Sequence, residues 1–191
     1  MKQILIPENL FNKILKGCKN TVAKDLCRPS LEFIRIEVHT QSITAYSLDG
    51  YRASRVTIPL REAAEEEFIA YIMPFAFKEI ADGKANVLLG VDDDGAFVEF
   101  KTTYGKSHLS FAKPEDWTVK IEELFDNAGK HDRVGAQANY IVDACKSIKE
   151  VVKDRYNLVV FESSDNPVKP FILRGKGEDV TIDQLILPVK F

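Results

Sequence analysis

An α+β protein built on antiparallel sheets is what the sequence predicts, and three observations carry the prediction. Short strand patterns arrive in runs separated by single helices, and the turns between strands are tight. Apolar and polar residues alternate along the strands, as Ile34, Ile36 and Val38 do with Arg35 and Glu37 between them. A helix followed by several strands recurs three times along the 191 residues, with no repetition of the sequence itself.

The first stretch opens with a strand at 2–6. Pro7 and Glu8 then start a helix in which Leu10, Phe11, Ile14, Leu15, Cys18 and Val22 recur at helical spacing. Strands are predicted at 31–38, 42–48 and 52–58. The second stretch has a strand at 68–73, a short helix at 74–81 closed by Asp82-Gly83, and strands at 86–91, 96–102 and 106–111. The third has a strand at 133–137, a helix at 139–153, strands at 158–161 and 171–173, and a terminal strand at 180–189. An acidic segment, 61–67, and a mixed segment, 113–130, join the stretches, and only the second is long enough to be a domain boundary. The expected division is a two-module domain at 1–113, a connector at 114–132 and a one-module half domain at 133–191. Repeated helix-on-sheet units share edges with their neighbours, either within one chain or between chains.

Composition excludes several classes of function. No apolar run approaches the ~18 residues that cross a bilayer. The start, Met1 to Glu8, loses its apolar character too early for a signal peptide, so a cytoplasmic protein without membrane contact is expected. Cys18, Cys27 and Cys145 are odd in number and show no CxxC spacing, which argues for reduced, partly buried thiols and against a zinc site.

Catalytic patterns are missing too. Gly105-Lys106-Ser107 lacks the earlier Gly of a phosphate loop, since Phe100 stands there. Asp92-Asp93-Asp94-Gly95 lacks the remaining ligands of a calcium loop and reads as a hairpin turn. His39, His108 and His131 lie on separate elements with no metal or triad spacing. The acidic pairs Glu66-Glu67 and Glu122-Glu123 fall in charged connectors and read as solvated. No catalytic residue, metal or cofactor is therefore expected.

With 26 Lys and Arg against 29 Asp and Glu, the net charge of −3 gives no global attraction to nucleic acid. Any such binding needs a local basic face, and the first helix supplies one. Lys13, Lys16, Lys19 and Lys24 fall opposite its apolar arc, among Asn9, Asn12 and Asn20 with only Glu8 near the edge, a basic face free of balancing acids. The third helix carries Lys146, Lys149 and Lys153 in one stripe, beside Asp143, Glu150 and Asp154 in another with which they could pair. Lys78 and Lys84 on the short second helix are offset by Glu79 and Asp82. Lysine without interleaved aromatics suits loose backbone contact better than base reading.

Two segments carry a family resemblance. Residues 24–34, KDLCRPSLEFI, followed by 42–54, SITAYSLDGYRAS, resemble the Arg-Pro-x-Leu segment and the Thr-Asp-Gly-(Tyr/His)-Arg-Leu turn of the bacterial DNA polymerase III beta subunit, the sliding clamp. The ending 185–191, LILPVKF, resembles that family's C-terminal (Ile/Val)-Met-Pro-(Val/Met)-Arg-Leu. Residues 138–144, ANYIVDA, resemble the start of a helix in the clamp's last domain.

The resemblance implies a clamp fold of βαβββ modules, with sheets outside and helices lining a hole for duplex DNA. It also implies a non-enzymatic processivity factor that tethers a polymerase or clamp-loader peptide. Lys13, Lys16, Lys19, Lys24, Arg28, Lys146, Lys149 and Lys153 become the expected DNA contacts. Leu48, Gly50, Tyr51, Arg52 and Ala53 become one wall of the expected peptide pocket, and Leu187, Pro188, Val189 and Lys190 the other. Leu48, Ala53 and Lys190 replace the family's Thr, Leu and Arg. Three modules replace the usual six, so four chains would supply the twelve that close the family's ring. The alternative is an adaptor or decoy that keeps the pocket and encircles nothing.

Overall fold

The computed structural model describes all residues except 25–27, 78–84, 103–104, 116, 127–134, 154–157, 163–168 and 190–191. Strand β1 (Lys2–Pro7) leads into helix α1 (Glu8–Cys18). Three strands follow: β2 (Ile34–Val38), β3 (Ser42–Leu48) and β4 (Arg52–Pro59). Then come β5 (Phe68–Ile72), β6 (Asn86–Val91), β7 (Gly95–Thr102) and β8 (Gly105–Ala112). The chain ends with α2 (Ile121–Asp126), α3 (Ala138–Val152), β9 (Val160–Glu162), β10 (Phe171–Lys176) and β11 (Thr181–Ile186).

The strands form two antiparallel sheets, ordered β1-β6-β7-β8 and β5-β2-β3-β4-β11-β10-β9. The question of shared edges is answered by β4 and β11, which pair from Arg52 opposite Ile186 to Thr57 opposite Thr181 and so join the first and third stretches within one chain. Helices α1 and α3 lie on one face of the seven-stranded sheet. Phe11, Ile14, Leu15 and Cys18 of α1 share a core with Ala144, Ile148, Val151 and Val152 of α3 and with Ile36, Ala45, Val56, Leu173 and Ile182 of the strands. Each large side chain removed from water there contributes about 1.5–3 kcal/mol.

Gly17 sets how closely α1 approaches the sheet. A Cβ there would stand 2.5 Å from Val56 Cγ2, too close for any side chain. The bare backbone lets the Gly17 carbonyl accept from Ser54 Oγ at 2.8 Å and from Gln184 Nε2 at 3.1 Å. These buried polar groups are thereby satisfied, as a dry core requires. Burial also pushes the Cys18 thiol up to about 12, in keeping with an inert filler, while Cys27 lies outside the described residues.

Four expectations need amendment. Only Pro74–Ala76 of the expected second helix is described, as a single 3-10 turn, and Lys78, Glu79, Asp82 and Lys84 lie outside the described residues. No strand forms at 135–137, the described part of the expected 133–137 strand. The terminal strand stops at Ile186, because Pro188 has no N–H to give a ladder and Leu187 N turns to Tyr51 O at 3.1 Å. The connector, expected to be a mixed linking segment with Glu122-Glu123 solvated, contains α2, buries Ile121 and Phe125 on the sheet face opposite the helices, and pairs Glu122 with Arg35 at 2.9 Å.

Candidate functional site

Six of the eight expected DNA contacts gather on two adjacent helices. Lys13 and Lys16 lie on α1 and Lys19 caps its C-terminus, while Lys146 and Lys149 lie on α3 and Lys153 caps it in a left-handed conformation, φ 48°. The helices are tied to each other by Asn20 Nδ2, which donates to Ser147 Oγ at 3.1 Å, and by the Lys19–Glu150 ion pair at 3.5 Å. Because both helices bury their apolar sides on the same sheet face, these lysines sit on the side turned away from it.

The basic face is not free of acids, because tertiary structure brings them from elsewhere. Lys13 pairs with Asp179 of the β10–β11 turn at 2.6 Å and its side chain is only 13% exposed. Among the described residues α3 does not pair its own charges: Asp143 meets Arg52 at 2.8 Å and Glu150 meets Lys19, while Asp154 lies outside the described residues. Lys16, Lys146, Lys149 and Lys153 have no ion-pair partner among the described residues.

Lys24 and Arg28 stand apart from this set. Lys24 Nζ lies 5.8 Å from the centre of the Phe75 ring. Arg28 Nη1 donates to Asp49 O at 3.0 Å, and its guanidinium lies 5.8 Å from the Tyr51 ring, so this residue belongs to the β3–β4 turn. Gly50 makes that possible. Its φ of +91° favours glycine, and a Cβ would stand 1.8 Å from Arg28 Nη1.

The same turn carries the first wall of the expected peptide pocket, and the second wall is brought to it by the Leu187–Tyr51 backbone bond. Tyr51, Leu187 and Val189 are 55%, 39% and 41% exposed, a set of large apolar side chains left at the surface. Val189 N donates to Gly135 O at 2.8 Å, which holds the chain end against the start of α3. Lys190 lies outside the described residues.

Leu48 and Ala53 are buried and lie below this surface set. Across β3, β4, β11 and β10 the register aligns Leu48, Ala53, Leu185 and Ile172 in one row. Ile121 and Phe125 of α2 pack into the cluster that this row forms. Arg52 is a strut between elements: Nε donates to Asp49 Oδ2 at 3.0 Å, Nη1 to Asp143 at 2.8 Å, and the guanidinium stacks over Tyr140 at 4.7 Å. It couples the turn to the first half of α3.

The next row along the sheet was not singled out from sequence. It aligns Tyr71, Arg35, Tyr46, Arg55, Asp183, Arg174 and Val160 across all seven strands. Asp183, almost fully buried, accepts from Arg55 at 2.5 Å and from Arg174 at 2.6 Å. Arg35 pairs with Glu37 at 2.5 Å and with Glu122 of α2 at 2.9 Å. Burial pushes the Glu37 carboxyl above its ordinary value, and the nearby Glu122 carboxyl adds to the shift. Period-two alternation marks these residues as one face, but only the register shows which cation meets which acid.

No cluster of three or more His, Cys, Asp and Glu among the described residues is arranged to hold a metal ion. No described helix is long and apolar enough to cross a membrane.

This architecture, paired antiparallel sheets with helices on one side, is the fold of the DNA polymerase sliding clamps. The chain superposes on the beta subunit of the DNA polymerase of Streptococcus pyogenes with a TM-score of 0.76 at 15% identity, covering 100% of this chain and 66% of that one. The Bacillus subtilis DNA polymerase sliding clamp gives 0.68 at 16% identity, covering 99% and 64%. The A. fulgidus PCNA, solved with the C-terminal region of FEN-1 bound, gives 0.62 at 11% identity, covering 100% and 99%. The chain thus spans about two-thirds of the length of the bacterial clamps it matches. No protein-family model matches the chain, and no curated protein sequence does.

Proposed function

We propose that this chain is a non-enzymatic, clamp-like tether that holds duplex DNA through the lysines of α1 and α3 and recruits a polymerase or loader peptide at the Tyr51–Leu187 surface. The observation that carries the reading is the pair of helices, joined side by side on a clamp-fold sheet, with lysines on the side away from it. Phosphate contacts of this kind are nearly equivalent at every register, so the protein slides instead of reading sequence. Lys16, Lys146, Lys149 and Lys153, which have no ion-pair partner among the described residues, carry more of the contact than Lys13 or Lys19.

Peptide recruitment is supported by exposed Tyr51, Leu187 and Val189 beside the joined walls, and by the peptide-bound state of the structurally similar PCNA. Residues 1–113 form the complete domain of the tether and 133–191 the half domain. β8 and β9, the outermost strands at one end of each sheet, provide edges through which four copies close a ring.

The test is retention on closed circular duplex, with solution mass measured by light scattering in parallel. A closed multimer held on circles and lost from cut DNA is the expected result. Replacing Lys146, Lys149 and Lys153 by Glu should abolish retention and lower the salt-dependence slope by about three contacts' worth. A monomer indifferent to DNA would leave the adaptor reading, and unchanged retention in the triple variant would remove these lysines from the interface.

A further inference from the structure

The register of the four-stranded sheet assembles a group of side chains that spacing along the chain does not reveal. On β7 and β8, Glu99 stands directly opposite His108 and Phe97 opposite Ser110, so all four share one face of the sheet. The other face carries Val98, Phe100 and Phe111 into the core. His108 Nδ1 lies 3.1 Å from Glu99 Oε1, and Nε2 lies 3.0 Å from Ser110 Oγ. A carboxylate can only accept, so the neutral ring carries its proton on Nδ1 and donates to Glu99. Nε2 is then the acceptor, and the Ser110 hydroxyl donates to it.

The ring is held in that orientation from below. Gly90, opposite Phe97 on β6, has no side chain, and a Cβ there would stand 2.3 Å from Phe97 Cζ. Phe97 therefore lies across the sheet, buried despite its place on the outer face. His108 stacks on it with ring centroids 5.8 Å apart and planes 15° from parallel. Leu5 and Leu88 continue the row of Glu99 and His108 towards β1, which leaves an apolar strip beside the polar groups.

We propose that Ser110 is an acyl-acceptor site, with His108 as its general base and Glu99 as the residue that positions the base, and that it takes a short apolar acyl group from an activated ester. Ser110 Oγ attacks the ester carbonyl carbon while its proton passes to His108 Nε2. The tetrahedral intermediate then collapses. The bond to the leaving oxygen breaks, that oxygen departs with the bonding electron pair, and Ser110 is left as the new ester. His108 gives its extra proton to the leaving group or to water and is neutral again.

His108 and Glu99 are 55% and 45% exposed, so a donor in solution can reach the hydroxyl. The same openness restricts the site to donors with a stable leaving group, because water competes with any hydrogen bond offered to the developing oxyanion. No residue of the relay belongs to the lysine face or to the Tyr51–Leu187 surface.

The experiment treats the full-length chain with p-nitrophenyl acetate and follows acetylation by peptide mass spectrometry, with the surface lysines of the same digest as an internal reference. Ser110 should be acetylated at least about tenfold faster than the other serines, below the roughly 10²–10⁴-fold that general-base assistance typically contributes because the site is exposed. His108→Gln should bring Ser110 to the level of the other serines while lysine acetylation and the unfolding midpoint stay unchanged. In Glu99→Gln the amide can donate to Nδ1 and hold the ring in the tautomer that cannot accept from Ser110, so acetylation of Ser110 should slow roughly fivefold against the lysine reference. Ser110 acetylated no faster than the other serines in the unaltered protein would overturn the inference without recourse to any variant. An unchanged Ser110 rate in folded His108→Gln would overturn it as well.

Discussion

The two faces of the seven-stranded sheet are built on different physics. The helix face is apolar, with buried polar groups bonded to one another, Ser54 and Gln184 at the Gly17 carbonyl and Thr21 and Ser47 at the Cys18 carbonyl. The outer face alternates a short apolar row with a row of ion pairs and is covered by only six residues of helix. The first face can only be a core. The second is covered by a short segment held by salt links and aromatic contacts. Stability should therefore depend more on the helix face than on the outer one.

The largest effect expected from testing this contrast is on the helix side. Phe11, fully buried and edge-on to Phe77 at 5.5 Å, should cost about 3–5 kcal/mol when replaced by Ala, measured by denaturant unfolding. A loss below about 1 kcal/mol would mean that α1 is not part of the cooperative core.

On the outer face, Asp183→Ala leaves Arg55 and Arg174 without their shared acid. Both arginines keep some water contact, so the cost should be smaller, about 2 kcal/mol, with the helices still formed by far-ultraviolet circular dichroism. A cost equal to that of Phe11→Ala would erase the distinction between the faces.

The smallest effect is one of pH. Burial, with Glu122 nearby, holds the Glu37 carboxyl above its ordinary value in the folded state, so between the two values the folded form keeps a proton that the unfolded form has released. The contribution of this group is fully present below the ordinary carboxylate value and is lost as pH rises through the raised one. Thermal melts across weakly acidic pH should show the unaltered protein losing ground to Glu37→Gln as pH increases. Parallel curves would show that Glu37 does not titrate abnormally.

Much of the fold was legible because it follows from local pattern. The alternation at Ile34, Ile36 and Val38 and the helical spacing from Phe11 to Cys18 each name a face without knowledge of the partner. The meeting of the β3–β4 turn with the segment after β11 was legible only through resemblance, since nothing local ties Tyr51 to Leu187 across the chain. Arg28 and Arg52 show the limit most clearly. Both are cations in a motif-bearing stretch, yet one folds onto Asp49 and Tyr51 and the other is spent between Asp49 and Asp143. The helix within 113–130 was not legible because its apolar residues, Ile121, Leu124 and Phe125, span barely more than one turn among charges, too short a run to give a periodic signal.

By itself the sequence determined the class of fold, the apolar stripe of each long helix and the lysines opposite it, because period and polarity are local properties of the chain. Only the tertiary structure decided which acids meet those lysines, that β4 and β11 close the first and third stretches into one sheet, and that the connector buries Ile121 and Phe125 on that sheet's outer face. Ion pairing and strand register depend on distances between residues far apart in sequence, and those distances exist only once the chain has folded.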